Sequence, residues 1–204
     1  MKNLIDFTSR DTLSQDNVKE ILNPYSKDFT ETMYEGERAM VQLGKSEPEI
    51  LKSLSPSCKA HIMQCRMSDT LRMRLQGKKG VMYSDHGYLR FIFSDKVVLR
   101  IKKFNELLHC SAISTHAFRE FMTQGLFREL NRTMVVLGYR LDITQTKISD
   151  ITITCPIHER RNLWAYHLVE QPASNELFIA STNDEQEQVR VTAKSIKKQQ
   201  DNQS

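Results

Sequence analysis

Glycine and proline are scarce in this chain, 7 and 5 of its 204 residues, and it holds a single tryptophan. That composition excludes a collagen-like or Gly/Pro-rich low-complexity protein. No apolar run approaches the roughly 18 residues that a membrane-spanning helix needs, and the opening Met1-Lys2-Asn3-Leu4-Ile5-Asp6-Phe7 is broken by charge too early for a secretory h-region. A cytoplasmic location is the expectation. The four cysteines, Cys58, Cys65, Cys110 and Cys155, are irregularly spaced, and a chain of this length can bury a core without disulfides, so all four are expected reduced. There is no Gly-x-Ser-x-Gly, no phosphate-cradling glycine loop with lysine, no His-Glu-x-x-His and no paired-carboxylate motif. Neither an RRM consensus nor a helix-turn-helix is readable. With 39% hydrophobic residues, what remains is an ordinary globular protein whose function has to be sought in charge and side-chain placement.

The net charge of +4 hides an asymmetry. Residues 1–56 carry 7 basic against 10 acidic side chains, a balance of −3. Residues 57–103 carry 11 basic residues against Asp69, Asp85 and Asp95, a balance of +8, and the remainder carries 11 against 12, or −1. A basic block of this kind attracts phosphates or an acidic protein if its side chains converge. The candidate partner- or nucleic-acid-binding residues are Arg66, Arg72, Arg74, Lys78, Lys79, Arg90, Arg100, Lys102 and Lys103. The plainer alternative is a set of solvated faces balanced in space by the acidic N-terminal helices.

The hydrophobic pattern predicts an α+β protein: a helical N-terminal third, an antiparallel meander, helices, then further antiparallel strands. Ser14 is a candidate N-cap before Val18, Ile21 and Leu22, and Ser55 one before Pro56 and a helix running to about Gln76, with Gly77 ending it. From Gly80 the period becomes strand-like, giving strands at 81–83, 88–93 and 96–102. Helices are expected at 104–110 and 116–131, and strands at 134–141, 148–155, 163–169 and 176–180. This divides the chain into an acidic helical region (1–56), a basic helix with an α+β core (57–182), and a polar tail (183–204) expected to be flexible.

Three constellations carry possible chemistry. Cys58, His61 and Cys65, spaced by three and four residues, share a helix face, and Cys155 with His158 could complete a soft-ligand set. Structural zinc sites, however, rest on close ligand pairs in loops, so buried cysteines and an ordinary histidine are preferred, with no metal and no cofactor expected. Phosphodiester cleavage needs proton donors and cations, for which His86, His109, His116 and His158 with Asp85, Asp150, Glu159, Arg160 and Arg161 supply residue types but no visible arrangement. Finally, Arg90, Arg100 and Lys102 interleave with Tyr83, Tyr88, Phe91 and Phe93, a combination that can contact phosphates and stack bases. Imperfect alternation makes these aromatics, like Trp164 and Tyr166, better core residues.

Three short segments carry a resemblance: Arg100-Ile101-Lys102-Lys103-Phe104, Gly138 to Leu141, and Trp164-Ala165-Tyr166-His167-Leu168. Over about residues 80–170 the chain resembles a group of bacterial proteins of similar length encoded beside a partner with helix-turn-helix and zinc-peptidase-like domains. The resemblance implies a toxin–antitoxin or phage-defence module and carries no catalytic motif. Together with the basic block it leads to the expectation of a non-enzymatic binding protein with a protein partner and no membrane. The alternative is nucleic-acid binding or a metal-independent ribonuclease-like toxin.

Overall fold

Two serines start the helices where the sequence places them. In the computed structural model, which describes residues 12–84, 89–110, 115–124 and 132–168, the Ser14 hydroxyl accepts from the Asn17 amide and opens α1 (Gln15–Leu22). Ser55 accepts from the Cys58 amide and, with Pro56 at the first helical position, opens α4 (Pro56–Leu75). Between them lie a 3-10 turn at Asn23–Tyr25, α2 (Ser26–Ser46) and α3 (Pro48–Ser53). Gly77, at φ +76°, follows the end of α4 in the left-handed conformation that glycine adopts without steric cost. None of the helices among the described residues is long and apolar enough to cross a membrane.

Helices α2 and α4 pack face to face because each buries one stripe, Phe29, Thr32, Met33 and Gly36 on the first and Met63, Met67, Leu71 and Leu75 on the second. At Gly36 a β-carbon would stand 2.5 Å from Met67 Cε. Crowding a flexible methionine costs about 2 kcal/mol, while alanine's helix preference over glycine returns about 1. Gly36→Ala is therefore expected to cost about 1 kcal/mol in urea denaturation.

The strands β1 (Val81–Ser84), β2 (Arg90–Phe93), β3 (Val97–Lys103), β4 (Thr133–Leu141), β5 (Ile148–His158) and β6 (Arg161–His167) form one sheet in chain order. Every pairing is antiparallel except β3 with β4, which run parallel from Val97 opposite Thr133 to Lys103 opposite Tyr139. The sheet is thus two antiparallel meanders joined by a parallel seam. The chain is α+β, with helices first and a mostly antiparallel sheet after them. β2 turns into β3 through Ser94 and Asp95, both at positive φ, as a tight hairpin with the strand twist requires.

The two faces of the sheet differ. Phe91, Phe93, Leu99, Ile101, Leu137, Tyr139, Ile151 and Ile153 join α1, α2 and α4 in the main core. On the opposite face Ile92, Val98, Met134 and Val136 pack against Phe118, Phe121 and Met122 of α5 (His116–Met122). Coverage on both sides explains why Val97–Ile101 and Thr133–Tyr139 are buried at every position. The buried Gln124 side chain fastens this layer: its Oε1 accepts from the Met134 amide at 2.7 Å and its Nε2 donates to the carbonyls of Met134 and Pro156.

Where the sequence pattern predicts a helix at 104–110, the chain instead makes a short loop. Phe104 bridges to Cys110, and the Asn105 side chain accepts from the amides of Leu107 and His109, which closes a turn instead of a helix. The second expected helix is present as α5 over His116–Met122. Its continuation at 125–131, the strand at 176–180 and the tail at 183–204 lie outside the described residues.

Candidate functional site

The sheet distributes the basic block by strand parity. Arg90, Arg100 and Lys102 alternate with core residues and belong to the α5 face, whereas Arg66, Arg72 and Arg74 ride on α4, which packs on the other face. Arg74 meets Glu31 at 2.7 Å and lies 4.0 Å from Asp28, and Lys78 pairs with Asp28, so acidic α2 neutralises the end of α4. Arg72 pairs with Asp69 one turn back. Arg66 is exposed, and the Lys79 carbonyl accepts from Tyr25. Arg100 is 4% exposed, its guanidinium 4.9 Å from the Phe121 ring centre. Phe91 and Phe93 are buried and present no face for base stacking, and Tyr88 lies outside the described residues.

Lys102 and Lys103 arrive together at the carboxyl ends of the parallel seam. There they line a cleft of 1230 Å³ with Arg140 and Asp142, the 104–107 loop, and Pro56, Ser57 and His61 from the first turns of α4. Burial, and then the neighbouring Arg100, lowers the pKa of Lys102, and burial lowers that of Lys103. Lys103 Nζ donates to Gln145 at 2.6 Å. Asp142 is committed to its own turn, accepting from the Thr144 hydroxyl and the amides of Thr146 and Lys147. Two apolar tips stand at this cleft, Leu107 at 71% and Ile143 at 99% exposure.

Beside the cleft, on the α5 face, β4, β5 and β6 build a polar cluster around Asp150, whose side chain is 2% exposed. Arg140, cross-strand from it, donates Nε at 3.0 Å and Nη2 at 2.9 Å to Asp150 Oδ2. The Thr152 hydroxyl reaches the same oxygen at 2.8 Å, and His167 Nδ1 reaches Oδ1 at 2.7 Å. His167 Nδ1 also lies 3.0 Å from Thr152 Oγ1. Burial pushes the Asp150 carboxyl up, but the bonds from His167 and Thr152 and the charges of His167 and Arg140 outweigh it and hold the pKa below the ordinary value. The His167 side chain is 52% exposed.

All three segments that carry the resemblance converge here. Lys102, Gly138, Thr152 and His167 form one cross-strand row, and the Phe104 ring lies on Gly138, 1.8 Å from where a β-carbon would be. Of the cleavage constellation, Asp150 does meet a histidine and an arginine, but they are His167 and Arg140. His109 sits in the 104–110 loop, His116 is 3.5 Å from Glu120, and His158 accepts from the Arg160 amide, while Asp85 and His86 lie outside the described residues. The signal for Arg140 and His167 was their place in two of those segments.

The four thiols are free. Cys58 and Cys65 lie exposed on α4, with Cys65 Sγ 3.6 Å from His61 Nε2, whereas Cys155 is buried in β5 near Gln124. Among the described residues no three His, Cys, Asp or Glu side chains are grouped to hold a metal ion. Burial pushes the Cys110 thiol up to about 12 despite Lys102 and Arg100 nearby, so it is no ready nucleophile. The chain matches no protein-family model, no curated protein and no solved structure.

Proposed function

We propose that this chain acts by binding, as one half of a bacterial toxin–antitoxin or phage-defence module, and that its cleft receives an acidic segment of the partner protein bearing apolar side chains. The observation that carries this reading is the pairing of the exposed Leu107 and Ile143 with Lys102, Lys103 and Arg140 around one cleft. Apolar anchors beside cations match a segment that alternates aliphatic and carboxylate groups. Lys102 stands close enough to Arg100 to feel its charge, so an arriving carboxylate relieves repulsion as well as making a bond. The positive end of α4, whose first turns line the same cleft, adds to the attraction.

Titration calorimetry with the product of the neighbouring gene tests the reading. The double change Lys102→Glu, Lys103→Glu is expected to weaken binding at least about tenfold, equivalent to about 1.4 kcal/mol, with an unchanged circular dichroism spectrum. Unchanged affinity would sink the cleft as the docking surface. Tight binding of single-stranded RNA or DNA to the same cleft, with a steep loss on adding salt, would replace the acidic protein with nucleic acid as the ligand.

A further inference from the structure

We infer that His167, held by Asp150 beside Arg140, is a general base that cleaves single-stranded RNA. This goes beyond the docking reading and shares only Arg140 with it.

The argument rests on how the cluster is wired. Oδ2 of Asp150 receives Arg140 twice and Thr152 once, which leaves Oδ1 as the oxygen turned to His167. His167 adds a 2.7 Å bond to the other oxygen while remaining half exposed on β6. That bond places the ring proton on Nδ1 and leaves the lone pair of Nε2 on the far edge of the imidazole. The carboxylate then stabilises the imidazolium that forms when Nε2 takes a proton. Thr152 is not a nucleophile for this base, because its hydroxyl lies against Asp150 Oδ2 and His167 Nδ1. The nucleophile is therefore water or a group of the substrate, and among phosphodiesters RNA carries one beside its phosphate, the 2′-hydroxyl. Arg140, one-third exposed beside Asp150, supplies the cation that stabilises the charge developing on the phosphate.

In the reaction His167 Nε2 removes the 2′-hydroxyl proton, and the 2′-oxygen forms a bond to phosphorus. The bond from phosphorus to the 5′-oxygen of the next nucleotide breaks. The leaving oxygen takes a proton from water, and the imidazolium returns its own to the hydroxide. The products are a 2′,3′-cyclic phosphate and a 5′-hydroxyl.

The test incubates the full chain with a fluorescein-labelled single-stranded RNA and with the all-deoxy oligonucleotide of the same sequence, in chelator, from pH 5 to 8. Cleavage of the RNA alone is expected, ending in a cyclic phosphate. His167→Asn, which retains a side-chain donor near Asp150, is expected to be at least about 100-fold slower while melting cooperatively. RNA left intact by the unaltered chain overturns the proposal, as does equal cleavage by His167→Asn or of the deoxy strand. In the unaltered chain, partner binding by calorimetry without RNA cleavage overturns this proposal alone, and cleavage without partner binding overturns the docking reading alone.

Discussion

Gly138→Ala is expected to lower stability by about 3 kcal/mol, at the upper end of what overpacking a core costs. The β-carbon would stand 1.8 Å from Phe104 Cε2 and within 2.3 Å of two more ring atoms. Unlike Met67 opposite Gly36, this ring has no room to yield. It is 3% exposed, its own amide is bonded to the Tyr139 carbonyl at 2.9 Å, and its residue bridges to Cys110. For a domain of this size the loss corresponds to a melting temperature lower by about 10 °C. Phe104→Ala alone opens a cavity, costing about 3 kcal/mol. In the double variant the new methyl enters the space the ring vacates, so the two losses should fall short of adding by at least about 1 kcal/mol. A Gly138→Ala protein that melts with the parent would mean that the ring does not lie on the strand.

Asp150→Ala carries the second large effect, about 3 kcal/mol. Removing one partner of a buried pair strands the other, although the one-third exposure of Arg140 and the half exposure of His167 soften the penalty. Asp150→Asn keeps an acceptor for Arg140 and should lose less. The carboxyl is held below its ordinary value when folded, so the unfolded chain takes up its proton first as the pH falls. Its contribution is therefore complete above about pH 4, the ordinary aspartate value, and disappears as the pH drops through the lower folded value. Urea titrations from pH 7 to 2 should show a steeper acid loss in the parent than in Asp150→Asn, and coincident slopes would remove Asp150 as a linked group.

Local chemistry was legible and long-range pairing was not. Ser14, Ser55 and Pro56 declare helix starts because their hydrogen bonds and fixed torsion act within three or four residues. The segment 104–110 has its apolar residues at helical spacing, yet Asn105 captures two amides and closes a loop instead. The runs Val97–Ile101 and Met134–Leu137 contained a sign of strands covered on both faces, yet nothing local says that they run side by side. The same limit applies to the site. Arg140 and Asp150 become neighbours only through the β4–β5 register, and Thr152 and His167 through that of β5 and β6. Charge counting could not separate Arg100 from Arg74, because parity along β3 sends the first beneath α5 while α4 carries the second to Asp28 and Glu31.

The parallel seam also has a consequence for biosynthesis. Hairpins such as β1–β2–β3 close within microseconds once their residues are available, but β3 finds its other neighbour only after the intervening segment and β4 have been made. At ribosomal speed that interval is on the order of seconds. Throughout it the apolar edge Val97–Ile101, bound for the middle of the sheet, stands open as a template for other strands. A nascent chain paused between the two meanders is thus the form of this protein with most need of a chaperone, and synonymous changes that slow translation there should lower soluble yield without altering a single contact of the finished fold.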